Sequence, residues 1–375
     1  MNTGYQHVEP QLGNFIHGDG KLGTVPLQPD GQWDAFLPEP HQQDENGFEV
    51  YDCVSEATTT CVEILAKQQY QNTITRSRRF LAANSGTGSK QGNDPQTVSE
   101  SLRTAGAVYE TDYPFSAPNL NTFYQTLTRA LKSLAIGEFA EFAYGHSWVN
   151  SDQQSLMDAL TYSPLSAAGY AWQFDTQTGY AITPAGAIAE HDFVICGYIQ
   201  GQYWKIRDSY APFDKKLAWN FSFTGVKRHT IQRQVANTLQ GQSWWNVFLE
   251  MLKKALNLGD YARNFGAARS PQWPAVRAQH LLKEPACILC GATTSLQVHH
   301  IRPFHIHPEL ELQDSNLATL CTGNNTINCH VRFGHLDNFK DKWNPLIRED
   351  CLTWKARFDA VKEQEVFPLE VETNV

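Results

Sequence analysis

Three residues far apart in the chain have the types that nucleophilic hydrolysis needs. Cys53 stands where the helical spacing of Val54, Ala57, Cys61, Ile64 and Leu65 begins, so it opens a helix, with Asp52 before it as a candidate N-cap. Unpaired backbone N–H groups and the helix dipole favour a thiolate at such a position. His191 and Asp208 lie at the two ends of "HDFVICGYIQGQYWKIRDSY", which reads as two strands turned at Gln200 and Gly201. An imidazole can take a thiol proton, and a carboxylate can hold that imidazole in its working tautomer. A cysteine at a helix start is more often a core residue, so these three mean something only if the fold brings them together.

A second constellation lies near the C-terminus. Cys287 and Cys290 form a Cys-x-x-Cys pair before Gly291, and Cys321 and Cys329 follow, a set suited to tetrahedral zinc. Between the pairs lies "SLQVHHIRPFHI", whose adjacent His299 and His300 must face opposite sides of a strand, so they cannot share one core pocket. A hydrolytic metal nuclease needs both kinds of imidazole: one neutral on a divalent cation, and one free to activate water. Arg302 is a candidate to hold a scissile phosphate or its leaving group. His305 and His307 are competing ligands that read more readily as solvated loop histidines.

The rest of the chain must position these groups. At 375 residues it is long enough for two or three domains, and a composition of 41% apolar and 12% aromatic residues allows most of it to fold. Residues 1–47, rich in Gly, Pro and Gln, read as an extended arm pinned by Trp33, Phe36 and Leu37. Residues 48–230 read as a first domain. Residues 231–270 carry Trp245, Phe248, Leu249, Leu252 and Leu256 at helical spacing, an amphipathic linker that docks domains. Residues 271–350 form a second domain and 351–375 a tail. "ANSGTGSKQGNDP" lacks the ending of a phosphate-binding loop. A formal charge of −9 excludes the strongly basic footprint of a non-specific nucleic-acid binder. Without an apolar span or a leader-like N-terminus, the expectation is no membrane partner and a cytoplasmic location.

The first domain resembles the papain-like cysteine peptidases over roughly residues 46–225. "SRRFLAANSG" looks like the segment after the nucleophile helix, and "GNDPQTVSESLRTAGAVYETDYPF" resembles the cleft loop, helix and "ExxYPY" turn. The hairpin above resembles the family's histidine strand and its "YWxxxNSW" strand. That resemblance implies a two-lobed α+β domain acting on a peptide or protein substrate, with Cys53 as nucleophile, His191 as base, Asp208 as orienting group and Gly92 as a substrate-binding position. The family signature around the nucleophile is replaced by "YDCVSEA", and Asn46, seven residues before Cys53, is the candidate oxyanion donor.

The second domain resembles the HNH endonucleases, whose small ββα-metal fold runs strand, loop, strand, helix. By that resemblance DNA is the partner, His299, His330 and His335 bind the catalytic metal, His300 is the general base, and Asn316 braces the loop that aims it. The metals implied are a structural Zn2+ on the four cysteines and a catalytic Mg2+, Mn2+, Ni2+ or Zn2+. The usual short gap between the late cysteines is expanded by "TGNNTIN". Fusions of this kind look like proteins of phages, mobile elements or bacterial conflict systems, which would place a phage-encoded chain in the host cytoplasm or the virion. Three functions stay open: two working sites on one chain, a silent binding module delivering a nuclease, and a structural assembly component. The oligomeric state is not legible.

Overall fold

A computed structural model describes residues 4–11, 14–17, 26–88, 91–233, 269–304, 307–323, 328–336, 343–352 and 354–355. The chain divides into two compact units, Met1–Trp244 and Trp245–Val375. The amphipathic linker expected between them, like His305 and most of the C-terminal tail, lies outside the described residues.

The first unit is α+β. Its helices are α1 (Cys53–Tyr70), α2 (Arg78–Ser85), α3 (Pro95–Ala105), α4 (Leu120–Phe123), α5 (Arg129–Glu141) and α6 (Gln153–Leu160). Its strands are β1 (Phe142–Trp148), β2 (Leu165–Gly169), β3 (Gln173–Phe174), β4 (Ala181–Ile182), β5 (His191–Ile199), β6 (Tyr203–Arg207), β7 (Asp214–Ala218) and β8 (Thr224–Arg233). They form one sheet in the order β1-β8-β2-β5-β6-β7-β4-β3. The expected hairpin is β5 paired antiparallel with β6, which sets Val194 opposite Arg207 and leaves Asp208 one step past the strand end.

Local chemistry explains why these elements start and stop where they do. Ser77 and Asp94 accept hydrogen bonds from Phe80 N and Thr97 N and so cap α2 and α3, while Pro95 is pre-set for the first turn of α3. Asp52 does not cap α1 as the sequence suggested: it makes no side-chain bond to the helix. α1 is buried nearly all round from Cys53 to Ala66, so it runs through the core rather than over the surface. Its Ile64 and Leu65 belong to one core cluster with Phe193 and Ile195 of β5, and each such buried side chain contributes about 1.5–3 kcal/mol. The 1–47 segment is part of this unit: Trp33 is wholly buried and donates from Nε1 to Leu160 O at 2.8 Å.

The second unit holds α7 (Trp273–Lys283) and a hairpin of β9 (Leu296–His300) with β10 (Leu317–Cys321). Ala318 stands opposite His299 and Leu317 opposite His300. The helix expected after the second strand is, among the described residues, a five-residue π turn, His330–Gly334. Its wide turn sends His330 and His335 toward one point, a placement that regular helical spacing does not demand. Gly291, at φ +74°, closes the turn after the first cysteine pair, with its N–H on Cys287 O at 2.9 Å.

Candidate active site and candidate metal centre

In the first unit the histidine and the carboxylate meet. His191 Nε2 is 2.6 Å from Asp208 Oδ1, and both side chains are fully buried. With Nε2–H donating to the carboxylate, the basic lone pair of the ring is on Nδ1, a buried atom with no hydrogen-bond partner. Trp172 stands edge-on to the imidazole at 5.8 Å and Tyr210 lies 5.4 Å from it, an aromatic surround that keeps water off the pair. Burial alone would raise the Asp208 carboxyl, but His191 and then Lys215 outweigh it and hold it below the usual carboxylate range. Lys215, which the sequence reading missed, donates to Asp208 and to the carbonyls of Tyr210 and Pro212 at 2.6 Å each. Its only trace in the sequence is a lysine at an inward position of "DKKLA".

The thiol is in a different state from the one its helix position suggests. Cys53 is wholly buried, and its pKa is pushed well up, first by burial and then by the carboxylate of Asp192. The Asp192 N–H, directed at the sulfur, works the other way and does not prevail. With Nε2 on Asp208 and Nδ1 without a partner, no hydrogen bond joins imidazole to thiol. Two carboxyl groups flank the thiol, Asp52 and Asp192, each buried with neither oxygen hydrogen-bonded, and burial drives the pKa of both well up. The helix N-terminus loses here because burial penalises a thiolate and nearby carboxylates penalise it again.

Two other expected positions are held by the chain itself. Asn46 donates to Phe115 O at 3.2 Å and accepts from Ala117 N at 3.0 Å, pinning the loop after Pro114. One Nδ2 proton is thus engaged by a backbone carbonyl, and the second is the one an oxyanion would take. Gly92 has φ +50°, and a Cβ there would sit 1.7 Å from Gly4 O. The arm lies directly against it. Asn93 N donates to Gly4 O at 2.8 Å, Gln6 N to Asn93 O at 2.9 Å, and Tyr5 N to Glu190 O at 3.4 Å, beside His191.

In the second unit the sulfur and nitrogen ligands form two clusters. The ligand atoms of Cys287, Cys290, Cys321 and Cys329 lie within 4.8 Å of one another, as do those of His299, His330 and His335. Sulfurs around a tetrahedral zinc stand about 3.8 Å apart, given Zn–S of about 2.3 Å. Cys290 Sγ and Cys321 Sγ are 3.6 Å apart, so the four fit that ion. His299 is buried with its Nε2 without a hydrogen-bond partner. Its pKa is driven well down by burial, then by His335 and His330, and burial with His335 pushes His330 down to about 4. Neutral imidazoles with an orphaned nitrogen are what a cation site requires.

His300 faces the other side of β9. Its ring lies 4.5 Å from Trp273, and its Nε2 is 3.0 Å from Glu311 O, so a proton donated there leaves Nδ1 as the basic atom. Asn316 Oδ1 accepts from Arg302 N at 2.8 Å, while its Nδ2 donates to Arg302 O at 3.0 Å and Leu310 O at 3.2 Å. One side chain thus ties together the loop between the strands. The Arg302 side chain is exposed. His307 lies 3.3 Å from Glu309 Oε1 and is not one of the clustered imidazoles.

No protein-family profile and no curated protein matches the chain. Among solved structures, it is similar to procathepsin L 3 of the Tenebrio molitor larval midgut at 15% identity, covering 61% of this chain and 76% of that one, with a TM-score of 0.43. The cysteine protease and lectin-like domains of Cwp84 from Clostridium difficile match at 13% identity and a TM-score of 0.45, over 53% of this chain and 50% of that one. The pro-form of the ragweed pollen cysteine protease Amb a 11 matches at 14% identity and a TM-score of 0.38, over 57% and 67%. The chain thus spans only half the length of the Cwp84 chain.

Proposed function

We propose that the first unit is a thiol peptidase or amidase in which Cys53 attacks a carbonyl, His191 carries the proton and Asp208 orients His191. The observation that carries this reading is the buried His191–Asp208 pair with a partnerless Nδ1. In a working complex Nδ1 takes the Cys53 proton and returns it to the leaving amine. The resting thiol is neutral and buried, and residues 4–6 pair with the edges that flank the site, so turnover requires the arm to leave. The test is intact mass after exposure to an epoxide inhibitor of thiol peptidases. A single adduct on Cys53, absent in His191→Ala, is the expected result. No adduct on the wild type, with other thiols still open to a general alkylating agent, would overturn the reading in favour of a silent binding module.

A second activity is favoured by the three clustered imidazoles beside four clustered thiols. We propose metal-dependent cleavage of DNA by the second unit, as in an HNH endonuclease. Cys287, Cys290, Cys321 and Cys329 would hold a structural zinc, and His299, His330 and His335 a catalytic divalent cation. A cation bound there supplies Lewis-acid polarisation of a phosphodiester and offsets the repulsion between an acidic chain and a polyanion. His300 takes the proton of the attacking water through Nδ1, Asn316 holds the loop that carries Arg302, and Arg302 meets the phosphate. Nicking of supercoiled plasmid should depend on Mg2+ or Mn2+ and vanish in His300→Ala with metal content unchanged. Nicking that survives His300→Ala would sink the assignment.

A further inference from the structure

The buried carboxylate of Asp192 has no role in the hydrolysis described above. It follows His191 on β5 and therefore points to the opposite side of the strand. Asp192 is 1% exposed and neither oxygen is hydrogen-bonded, an arrangement that costs several kcal/mol if the group is charged. Its neighbours follow from strand register. Asp192 stands opposite Ala168 of β2, and Ala168 stands opposite Thr224 of β8, so the three side chains form one row on one face. The middle member is small, which leaves a recess between Thr224 and Asp192.

Tyr5 of the arm sits at the Thr224 end of that row, against Gly225. It is 6% exposed, and a Cβ on Gly225, which has φ +61°, would lie 2.6 Å from its Oη, so a side chain at 225 would be strained and would displace the phenol. The phenol reaches His7 Nδ1 at 3.3 Å and leaves the carboxylate unmet. His7 is itself engaged by Glu9 at 2.8 Å. Burial first and then Asp192 raise the proton affinity of the Tyr5 phenol, as they do that of the Cys53 thiol. Burial drives the Asp192 pKa well up, and an occupant of Tyr5's length with a cationic end would draw out its proton and convert an unmet carboxyl into a charge-assisted pair.

We propose that the recess between Thr224 and Asp192 is a binding site for a lysine or arginine side chain of a peptide or protein, with Asp192 as its counter-charge and Tyr5 of the arm at its Thr224 end. As a substrate subsite it rests on the thiol-hydrolase reading; as a cation site it does not. Hydrogen exchange of the full chain separates the two. The amides of Gln6 and Asn93 report whether the arm is seated, because each is bonded across the arm edge. In Tyr5→Arg they should exchange at least about tenfold more slowly than in Tyr5→Met, the scale of one charge-assisted hydrogen bond. Asp192→Asn should erase the difference. Equal exchange in Tyr5→Arg and Tyr5→Met, read on the native Asp192 chain, overturns the proposal whether or not Asp192→Asn folds. Protection by Tyr5→Arg, with no turnover of any peptide by Tyr5→Met, whose arm is the looser, would sink the hydrolase reading and leave the cation site standing. With turnover, cleavage of a peptide mixture should favour a basic residue at one fixed distance from the cut, a preference lost in Asp192→Asn.

Discussion

Asp208 carries two partners, and its two substitutions should therefore differ. Asp208→Ala removes the anion from beside Lys215, whose side chain is only 3% exposed, and leaves that ammonium buried with carbonyls alone. A loss of about 3–5 kcal/mol is expected, read as a drop in the denaturant midpoint of the first unit. Asp208→Asn keeps an acceptor for His191 Nε2–H and should cost less stability. The carboxyl is held below its usual range in the folded state, so its contribution is complete at pH values above that range and is lost only as pH falls below it. His146 acts at higher pH. Burial, then Lys227, pushes it from 6.5 down to about 4, so the folded state resists its protonation, and stability should fall as pH drops from about 6.5 toward 4. A melting temperature for the first unit that is flat across that window would contradict the assignment, and His146→Gln should lessen the fall, with the buried His229 contributing the rest.

The arm edge and the cysteine turn are the elements whose loss should be most visible. Gly92→Ala places a methyl group against the backbone of Gly4, a collision that no side-chain movement relieves. The variant should unseat residues 4–6, and alkylation of Cys53 should accelerate about tenfold or more relative to wild type, the response expected when a segment of low local stability opens. Unchanged alkylation would mean that the arm does not limit access to the thiol. In the second unit, two strands, α7 and a helical stretch at 347–352 supply a small core, and the four thiols cluster within it. Structural zinc in such settings contributes about 10–16 kcal/mol of apparent binding free energy, so a strong chelator should unfold this unit and leave the first unit's transition in place. A C-terminal unit that melts at the same temperature with and without chelator would exclude a structural metal.

At the scale of the molecule, the division into two compact units places each candidate centre among the residues of its own unit. Cys53→Ala should therefore leave plasmid nicking within about twofold of wild type, and His300→Ala should leave epoxide labelling unchanged, since sites that share no residues or partners behave additively. What the sequence determined was pattern: the helix that starts at Cys53, the hairpin joining His191 to Asp208, the Cys-x-x-Cys turn and the adjacent histidines all follow from spacing within one or two elements. What only tertiary structure decided were distances between elements and the state of each group. Lys215 behind Asp208, the π turn that gathers His330 and His335, the commitment of Asn46 to the 115–117 loop and the seating of Tyr5 beside Asp192 all depend on residues far apart in the chain. The same holds for the Cys53 thiol, whose helix start argues for a thiolate and whose burial between Asp52 and Asp192 keeps it protonated. Periodicity reports which face a side chain takes, whereas pKa, burial and partner are set by whatever packs against that face.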